Sequence, residues 1–158
     1  MIRVCAPGKL FLAGEWAVLQ QGNPGIVAAV DKRVWAEVQA LVGKAVAVTV
    51  EEFGIRDIRF TWNGQELKLF PHHQVNEEKI KFLKRAVETA LRFLEARGKA
   101  FQPFKIRTWG EETTVEMAGQ RAKVGFGSSA ASVVAVVDAV LRFHDYPAAK
   151  EEVFKLAA

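Results

Sequence analysis

Lys123-Val124-Gly125-Phe126-Gly127-Ser128-Ser129-Ala130-Ala131-Ser132, running without a break into Val133-Val134-Ala135-Val136-Val137, is the stretch on which the reading of this chain turns. Two glycines at a spacing of two let the backbone approach a ligand, because neither carries a Cβ that would block it or forbid positive φ. Ser128 and Ser129 fall where a helix starts. A serine there can cap free N–H groups, at the end of the helix dipole that carries about half a positive charge. From Ala130 to Val140 every residue is Ala or Val except Ser132 and Asp138, so the helix is apolar nearly all round and is expected to be buried. A buried helix entered through small residues leaves its first N–H groups to a ligand, and phosphate is the usual anion at such an end. The pattern is not a Walker loop, which ends Gly-Lys-Ser or Gly-Lys-Thr. It also lacks the third glycine of a dinucleotide fingerprint. Taken alone, the loop reads as a capped helix after a tight turn more readily than as a phosphate site.

The rest of the chain narrows the setting. With 158 residues, 50% of them hydrophobic and 25% charged, it has the length and composition of one globular domain. A formal net charge of +4 and a pI near 9.3 suit a small anionic substrate. The basic residues are scattered along the sequence in no dense run, which argues against a nucleic-acid partner. Cys5 is the single cysteine and cannot form an intramolecular disulfide, in keeping with a reducing cytoplasm. Met1 to Pro7 lack the apolar core of a signal peptide, and no run reaches the ~18 apolar residues of a spanning helix. The expectation is a cytoplasmic protein with no membrane partner.

In chain order, residues 2–5 and 9–13 read as β-runs interrupted at Pro7-Gly8, an edge or a bend. Gln21-Gly22-Asn23-Pro24-Gly25 is a turn, and Ile26 to Val38 a long strand. Val46 to Glu52 and Ile55 to Trp62 alternate apolar and polar residues, and Asn63-Gly64 signals a hairpin returning through Gln65 to Phe70. The first 70 residues are thus expected to form a mainly antiparallel sheet. Asn76 is the expected N-cap of a helix with Ile80, Leu83, Val87, Leu91 and Leu94 on its buried face, stopped by Gly98. Phe101 to Trp109 is a strand, and Thr113 to Met117 either pairs with it or lies in a loop. The apolar helix runs to about Phe143. Pro147 fits the first turn of a last helix, with Val153, Phe154 and Leu156 as its apolar positions.

Lys9 is an unexpected cation in an apolar strand, Leu10-Phe11-Leu12 following it. It is either a solvated edge residue or aimed at an anion. Glu15, directly after Gly14, is a turn acid or a site acid. His72, His73 and His144 lack the spacing of a metal site, and Asp138 reads as the polar edge of its helix. The four tryptophans, Trp16, Trp35, Trp62 and Trp109, are dispersed, and core or sheet faces are their expected homes.

Two stretches together carry a resemblance. Ala6-Pro7-Gly8-Lys9-Leu10-Phe11-Leu12-Ala13-Gly14-Glu15-Trp16-Ala17-Val18-Leu19 resembles the first motif of the GHMP kinases, and Lys123 to Ala131 resembles their second, the glycine-serine ATP loop. Within that superfamily the ending of the first motif, Ala29-Val30-Asp31-Lys32-Arg33-Val34 and Lys123 are most similar to the members that phosphorylate phosphomevalonate. Trp16 stands where those members usually have tyrosine, and Phe126 where leucine is usual. The resemblance implies an α+β, two-layer fold like the second domain of ribosomal protein S5, a mainly antiparallel sheet with helices on one face and a left-handed β-α-β crossover.

It further implies transfer of the ATP γ-phosphate to phosphomevalonate, with Mg²⁺. ATP would lie on Lys123, Gly125, Gly127, Ser128, Ser129 and Ala130, the Ser128 hydroxyl would assist the metal, and Lys9 and Glu15 would meet the phosphorylated small-molecule substrate. The alternatives are mevalonate kinase or another GHMP small-molecule kinase, and a non-catalytic nucleotide-binding or interaction module. The family's later aspartate and its third, glycine-rich motif in a C-terminal domain do not occur among these residues. Residues 1–158 are therefore expected to be the N-terminal, ATP-binding domain, incomplete at its C-terminal end, inactive alone, and partnered by a C-terminal half or a second copy.

Overall fold

The computed structural model describes residues 1–111, 114–117, 120–123 and 127–158, with the backbone alone for 114–117 and 120–123. The elements are β1 (Ile2–Ala13), β2 (Ile26–Ala40), β3 (Ala45–Val50), β4 (Ile55–Trp62), β5 (Leu67–Leu69), α1 (Glu77–Glu95), β6 (Phe104–Gly110), β7 (Thr114–Met117), β8 (Gln120–Lys123), α2 (Ser128–Phe143) and α3 (Lys150–Ala157). Six strands form one sheet in the order β1-β2-β6-β3-β4-β5. Its neighbours are antiparallel except β3 and β6, which run parallel.

Strand alternation gives the sheet one apolar face. Ala36 and Val38 of β2, Val46 and Val48 of β3, Phe60 of β4, and Phe104 and Ile106 of β6 are buried in one core with the helices. The expected stripe of α1, Ile80, Leu83, Val87, Leu91 and Leu94, is buried there as well. Asn76 accepts the Glu78 N–H (3.1 Å) at the start of α1. At its end Gly98, at φ +72°, lets Lys99 N–H reach Leu94 O (3.0 Å) and Gly98 N–H reach Glu95 O (2.9 Å), the paired bonds that stop a helix at a left-handed glycine. Buried Glu88 of α1 accepts the Leu67 N–H (2.8 Å), and Glu95 accepts the Trp62 indole N–H, so one side of α1 pins the β4–β5 hairpin. The architecture is α+β in two layers, as expected. On the other face Trp35 and Trp109, opposite each other on β2 and β6, stack at 6.1 Å, and Arg3 pairs with Glu37 (2.6 Å).

Several expectations change. The sheet of the first 70 residues is split, because β6, returning after α1, inserts between β2 and β3, antiparallel to the first and parallel to the second. Thr114–Met117 neither joins that sheet nor lies in a loop. It pairs with Gln120–Lys123 as a separate antiparallel ribbon. The strand expected to reach Glu52 stops at Val50, and Glu51–Phe53 form a 3-10 turn closed by Gly54 at φ +65°. The last helix starts at Lys150, so Pro147 lies in the link before it. Asp145 takes φ +54° there, and Tyr146 N–H bonds Leu141 O (3.0 Å). Of its three apolar positions, Val153 is buried but Phe154 is 70% exposed. Trp16, 80% exposed, lies in neither core nor sheet.

His144 locks the end of α2. It is 2% exposed, its Nδ1 donates to Val140 O (2.8 Å), and its Nε2 accepts the Gln102 N–H (3.3 Å). These bonds demand the neutral ring, and burial holds its pKa below the ordinary 6.5. The unfolded ring titrates normally, so as pH falls below about 6.5 the unfolded chain takes up a proton that the folded chain refuses. Stability is therefore full above that pH and declines below it. Thermal melts should show the midpoint of the parent falling more steeply from about pH 7 to about pH 5 than that of His144→Gln. Parallel profiles would contradict this role.

Candidate functional site

α2 begins at Gly127, which takes the left-handed conformation (φ 64°, ψ 35°) and offers no side chain as a cap. The first bond of the helix runs from Ala131 N–H to Gly127 O (3.2 Å). The amides of Ser128, Ser129 and Ala130 therefore have no carbonyl within the helix to meet them. The serines do not cap, contrary to expectation: they are the first two helical residues, and Ser132 Oγ instead donates to Ser129 O (2.7 Å). Three amides at the positive end of a helix make a receptor for an oxyanion.

Lys9 lies against this helix start. A Cβ placed on Gly127 would stand 2.8 Å from Lys9 Cγ, 3.4 Å from its Cε and 3.6 Å from its carbonyl oxygen. The fold makes the meeting: α2 packs over β1 and β2, and Lys9 sits on the edge strand β1, opposite Ala29. Just before it the register shifts, Pro7 facing Arg33 but Gly8 facing Val30, so Asp31 and Lys32 bulge out. The Lys9 side chain is exposed, with its ammonium 5.4 Å from the Phe11 ring centroid. Lys9 is thus an edge-strand residue, and also one whose stem crosses the glycine of the second motif.

The start of α2 also opens on a cleft of about 340 Å³, which Lys9 does not line. Ser128, Ser129 and Ser132 form one end. Phe53, Glu78, Lys79, Phe82 and Trp109 form much of the wall. Phe53 and Phe82 are 45% and 53% exposed, which gives the cleft flat apolar surface beside the uncapped helix start. Sequence reading missed Phe53, Lys79 and Phe82. One signal was available: Phe82 stands off the buried stripe of α1, where a solvated face is expected to be polar.

Glu15 is placed apart. It follows β1 in an exposed loop and does not line the cleft. That loop is closed by Gly14, whose Cβ would stand 2.5 Å from Pro24 O, and by a Val18 N–H bond to Gly14 O (3.0 Å). Asp138 pairs with Arg142 at 2.7 Å, and Asp31, its side chain 97% exposed, sits 3.6 Å from Arg33. Neither lines the cleft. Lys123 ends β8, opposite Thr114, but its side chain, like Gly125 and Phe126, lies outside the described residues. Among the described residues no cluster of His, Cys, Asp and Glu could hold a metal ion by itself, and no helix is long and apolar enough to cross a membrane.

Residues 81–158 match the family model for the GHMP kinases N terminal domain. The chain is 33% identical over 157 residues to a phosphomevalonate kinase of Streptomyces sp. (strain CL190), covering 96% of this chain and 41% of the relative. It is 30% identical over 155 residues to a mevalonate kinase of Aeropyrum pernix, covering 98% and 41%. Among solved structures, Streptococcus pneumoniae phosphomevalonate kinase in complex with phosphomevalonate and AMPPNP superposes with a TM-score of 0.72 at 25% identity, over 99% of this chain and 41% of that one. The mevalonate kinase of Methanococcus jannaschii shares the fold, with a TM-score of 0.72 at 19% identity, over 99% and 44%. The chain spans less than half the length of these relatives.

Proposed function

We propose, from the premise that residues 81–158 belong to the GHMP kinases N-terminal domain family and that the whole chain has that fold, that this domain binds ATP at the start of α2 and serves transfer of the γ-phosphate to phosphomevalonate. The observation that carries the reading is the uncapped first turn of α2, with Lys9 across Gly127 and the cleft beside Ser128 and Ser129. The amides of Ser128, Ser129 and Ala130 hold phosphate oxygens, and Gly125 and Lys123 extend the same loop. Phe53 and Phe82 offer stacking surface to a nucleobase in the cleft. Lys9 turns its charge toward the transferring and acceptor phosphoryl oxygens, with Glu15 at the acceptor side. Phosphoryl transfer is mostly positioning and charge neutralisation, so a lysine can lower the barrier without being consumed.

Gly127 is a cradle that any Cβ would fill, which fits a phosphate chain. The hydroxyls of Ser128 and Ser129 beside it fit Mg²⁺, which takes few protein ligands and completes its shell with phosphate oxygens and water. When bound, the ion would neutralise phosphate charge. The second reading, mevalonate as acceptor, is supported by the 30% identity to a mevalonate kinase. A coupled ADP-release assay across phosphomevalonate, mevalonate, galactose and homoserine, run on the chain together with its genomic continuation, separates the two. The expected result is turnover with phosphomevalonate at least tenfold above mevalonate; the reverse order would favour the second reading, and ATP binding with no turnover would leave a nucleotide-binding module.

A further inference from the structure

Two of the aromatic residues that wall the cleft belong to segments tied together outside it. Phe53 ends the 3-10 turn Glu51–Phe53, and Trp109 lies near the end of β6. Arg107, two residues before Trp109, donates from Nε to Oε1 of Glu51, two residues before Phe53, at 3.0 Å. The same guanidinium lies 5.0 Å from the centroid of the Trp109 ring, within reach of a cation–π contact. One side chain therefore touches one aromatic wall and the base of the turn that carries another. Neither Arg107 nor Glu51 lines the cleft.

The two walls are held to different degrees. Trp109 stacks on Trp35 at 6.1 Å across the β2–β6 pair, and Arg3 lies 5.6 Å from its ring, so the sheet keeps it in place with or without Glu51. The turn has less support. None of its residues is buried and no side chain caps its start, so apolar packing does not fix it. The strand ladder fixes it poorly as well: Val48 faces Ile58 but Val50 faces Ile55, and Asp57 takes φ +48° in the bulge between them. Yet the turn is closed on itself, Gly54 N–H bonding Glu51 O (3.1 Å). A turn closed in this way moves as one body, so whatever holds the Glu51 carboxylate also holds Phe53. Its partners are Arg107 on β6 and, at 3.6 Å, Arg56 on β4. With the Arg107 and Glu51 side chains 52% and 31% exposed, their pair adds little to overall stability, because exposed ion pairs are screened by water. Its effect is on where the turn sits.

We propose that Glu51 and Arg107 are positioning residues for the nucleobase: their ion pair braces the β3–β4 turn against β6 and so keeps the Phe53 ring in the wall of the cleft, where a planar base can stack on it. Under the nucleotide reading of the cleft, on which this rests, recognition divides in two. The phosphates meet the amides at the start of α2, and the base meets aromatic walls whose spacing is set from outside the cleft. Loss of the brace is then felt by the base and not by the phosphates.

The test uses the chain joined to its genomic continuation, with Glu51→Ala, Phe53→Ala and the two together. Calorimetry measures the binding of ATP and of inorganic tripolyphosphate, which carries phosphates without a base. Each single substitution should weaken ATP about tenfold, within the range lost when one base–aromatic stack is removed, and leave tripolyphosphate within about twofold. The double variant should bind ATP no more than about twofold more weakly than Phe53→Ala, because a brace with no ring to hold has no further effect. Unchanged ATP affinity in Glu51→Ala overturns the assignment. Losses that multiply to about a hundredfold in the double variant also overturn it, since Glu51 would then act on the ligand without Phe53. An equal loss of tripolyphosphate binding does the same by placing the effect on the phosphates. The thermal midpoint of Glu51→Ala should stay within about 2 °C of the parent, and a fall of more than about 5 °C would make the pair a support of the fold and overturn its positioning role. A parent that binds tripolyphosphate as tightly as ATP keeps the phosphate site and overturns the base site, whereas a parent that binds neither fails the nucleotide reading itself and the brace with it.

Discussion

Gly127→Val is expected to abolish ATP binding, weakening it by about a hundredfold or more, while leaving a folded protein. Two independent effects act at this position. The residue stands at φ +64°, where a side chain costs about 1–2 kcal/mol and a β-branched one is a clear outlier. Its Cβ would also come within 2.8 Å of Lys9 Cγ, so either the Lys9 stem or the helix start must move. A shift of even ~1 Å misaligns the amides of Ser128 and Ser129 with their ligand, and hydrogen bonds to a charged group contribute ~1.5–3 kcal/mol each. Calorimetry with ATP measures the loss, and circular dichroism checks the fold. Gly43→Ala is the control: it too has positive φ (+115°), but a Cβ there meets nothing within 4 Å, so it should cost stability alone. Unchanged ATP affinity in a folded Gly127→Val protein would remove the start of α2 from the site.

In the chain joined to its genomic continuation, Lys9→Met is expected to lower turnover by about 10²–10³-fold, the range seen when one group that stabilises transition-state charge is removed. Methionine keeps an unbranched stem against Gly127 and deletes the ammonium, so it separates charge from packing more cleanly than alanine does. Because Lys9 is exposed on the edge strand β1, its loss should shift the thermal midpoint by no more than a surface substitution does, within about 2 °C. Steady-state ADP release with phosphomevalonate reads the first effect and a thermal melt the second. Undiminished turnover in Lys9→Met would return Lys9 to the role of a solvated edge residue.

The local elements were legible because their signals are local. Asn76 and Gly98 bound α1 through bonds made within a few residues, and the stripe from Ile80 to Leu94 needs only helical period to be recognised. The run of Ala and Val behind Gly127 announced a buried helix from composition alone. What failed was of two kinds. Pro147 and the serines at 128 and 129 were assigned roles that their residue types favour, but the last helix starts only after the extended Ala149, and Gly127, at positive φ, sets the start of α2. Phe53, Lys79 and Phe82 went unseen because nothing in the sequence joins a turn after β3 to the first turns of α1.

By itself, then, the sequence determined the helices, most strands of the main sheet, the run of small residues at the start of α2, and the resemblance to the GHMP kinases. Only the tertiary structure decided that β6 lies between β2 and β3 and that Lys9 crosses Gly127. It alone closed a cleft between α1 and α2 beside Ser128, and it alone tied the turn that carries Phe53 to β6 through Glu51 and Arg107. The physical reason is range. Caps, turns and periodicity are set by neighbours a few residues away, whereas strand order and the meeting of two motifs from opposite ends of the chain follow from which apolar faces can be buried together, and no short stretch contains that information.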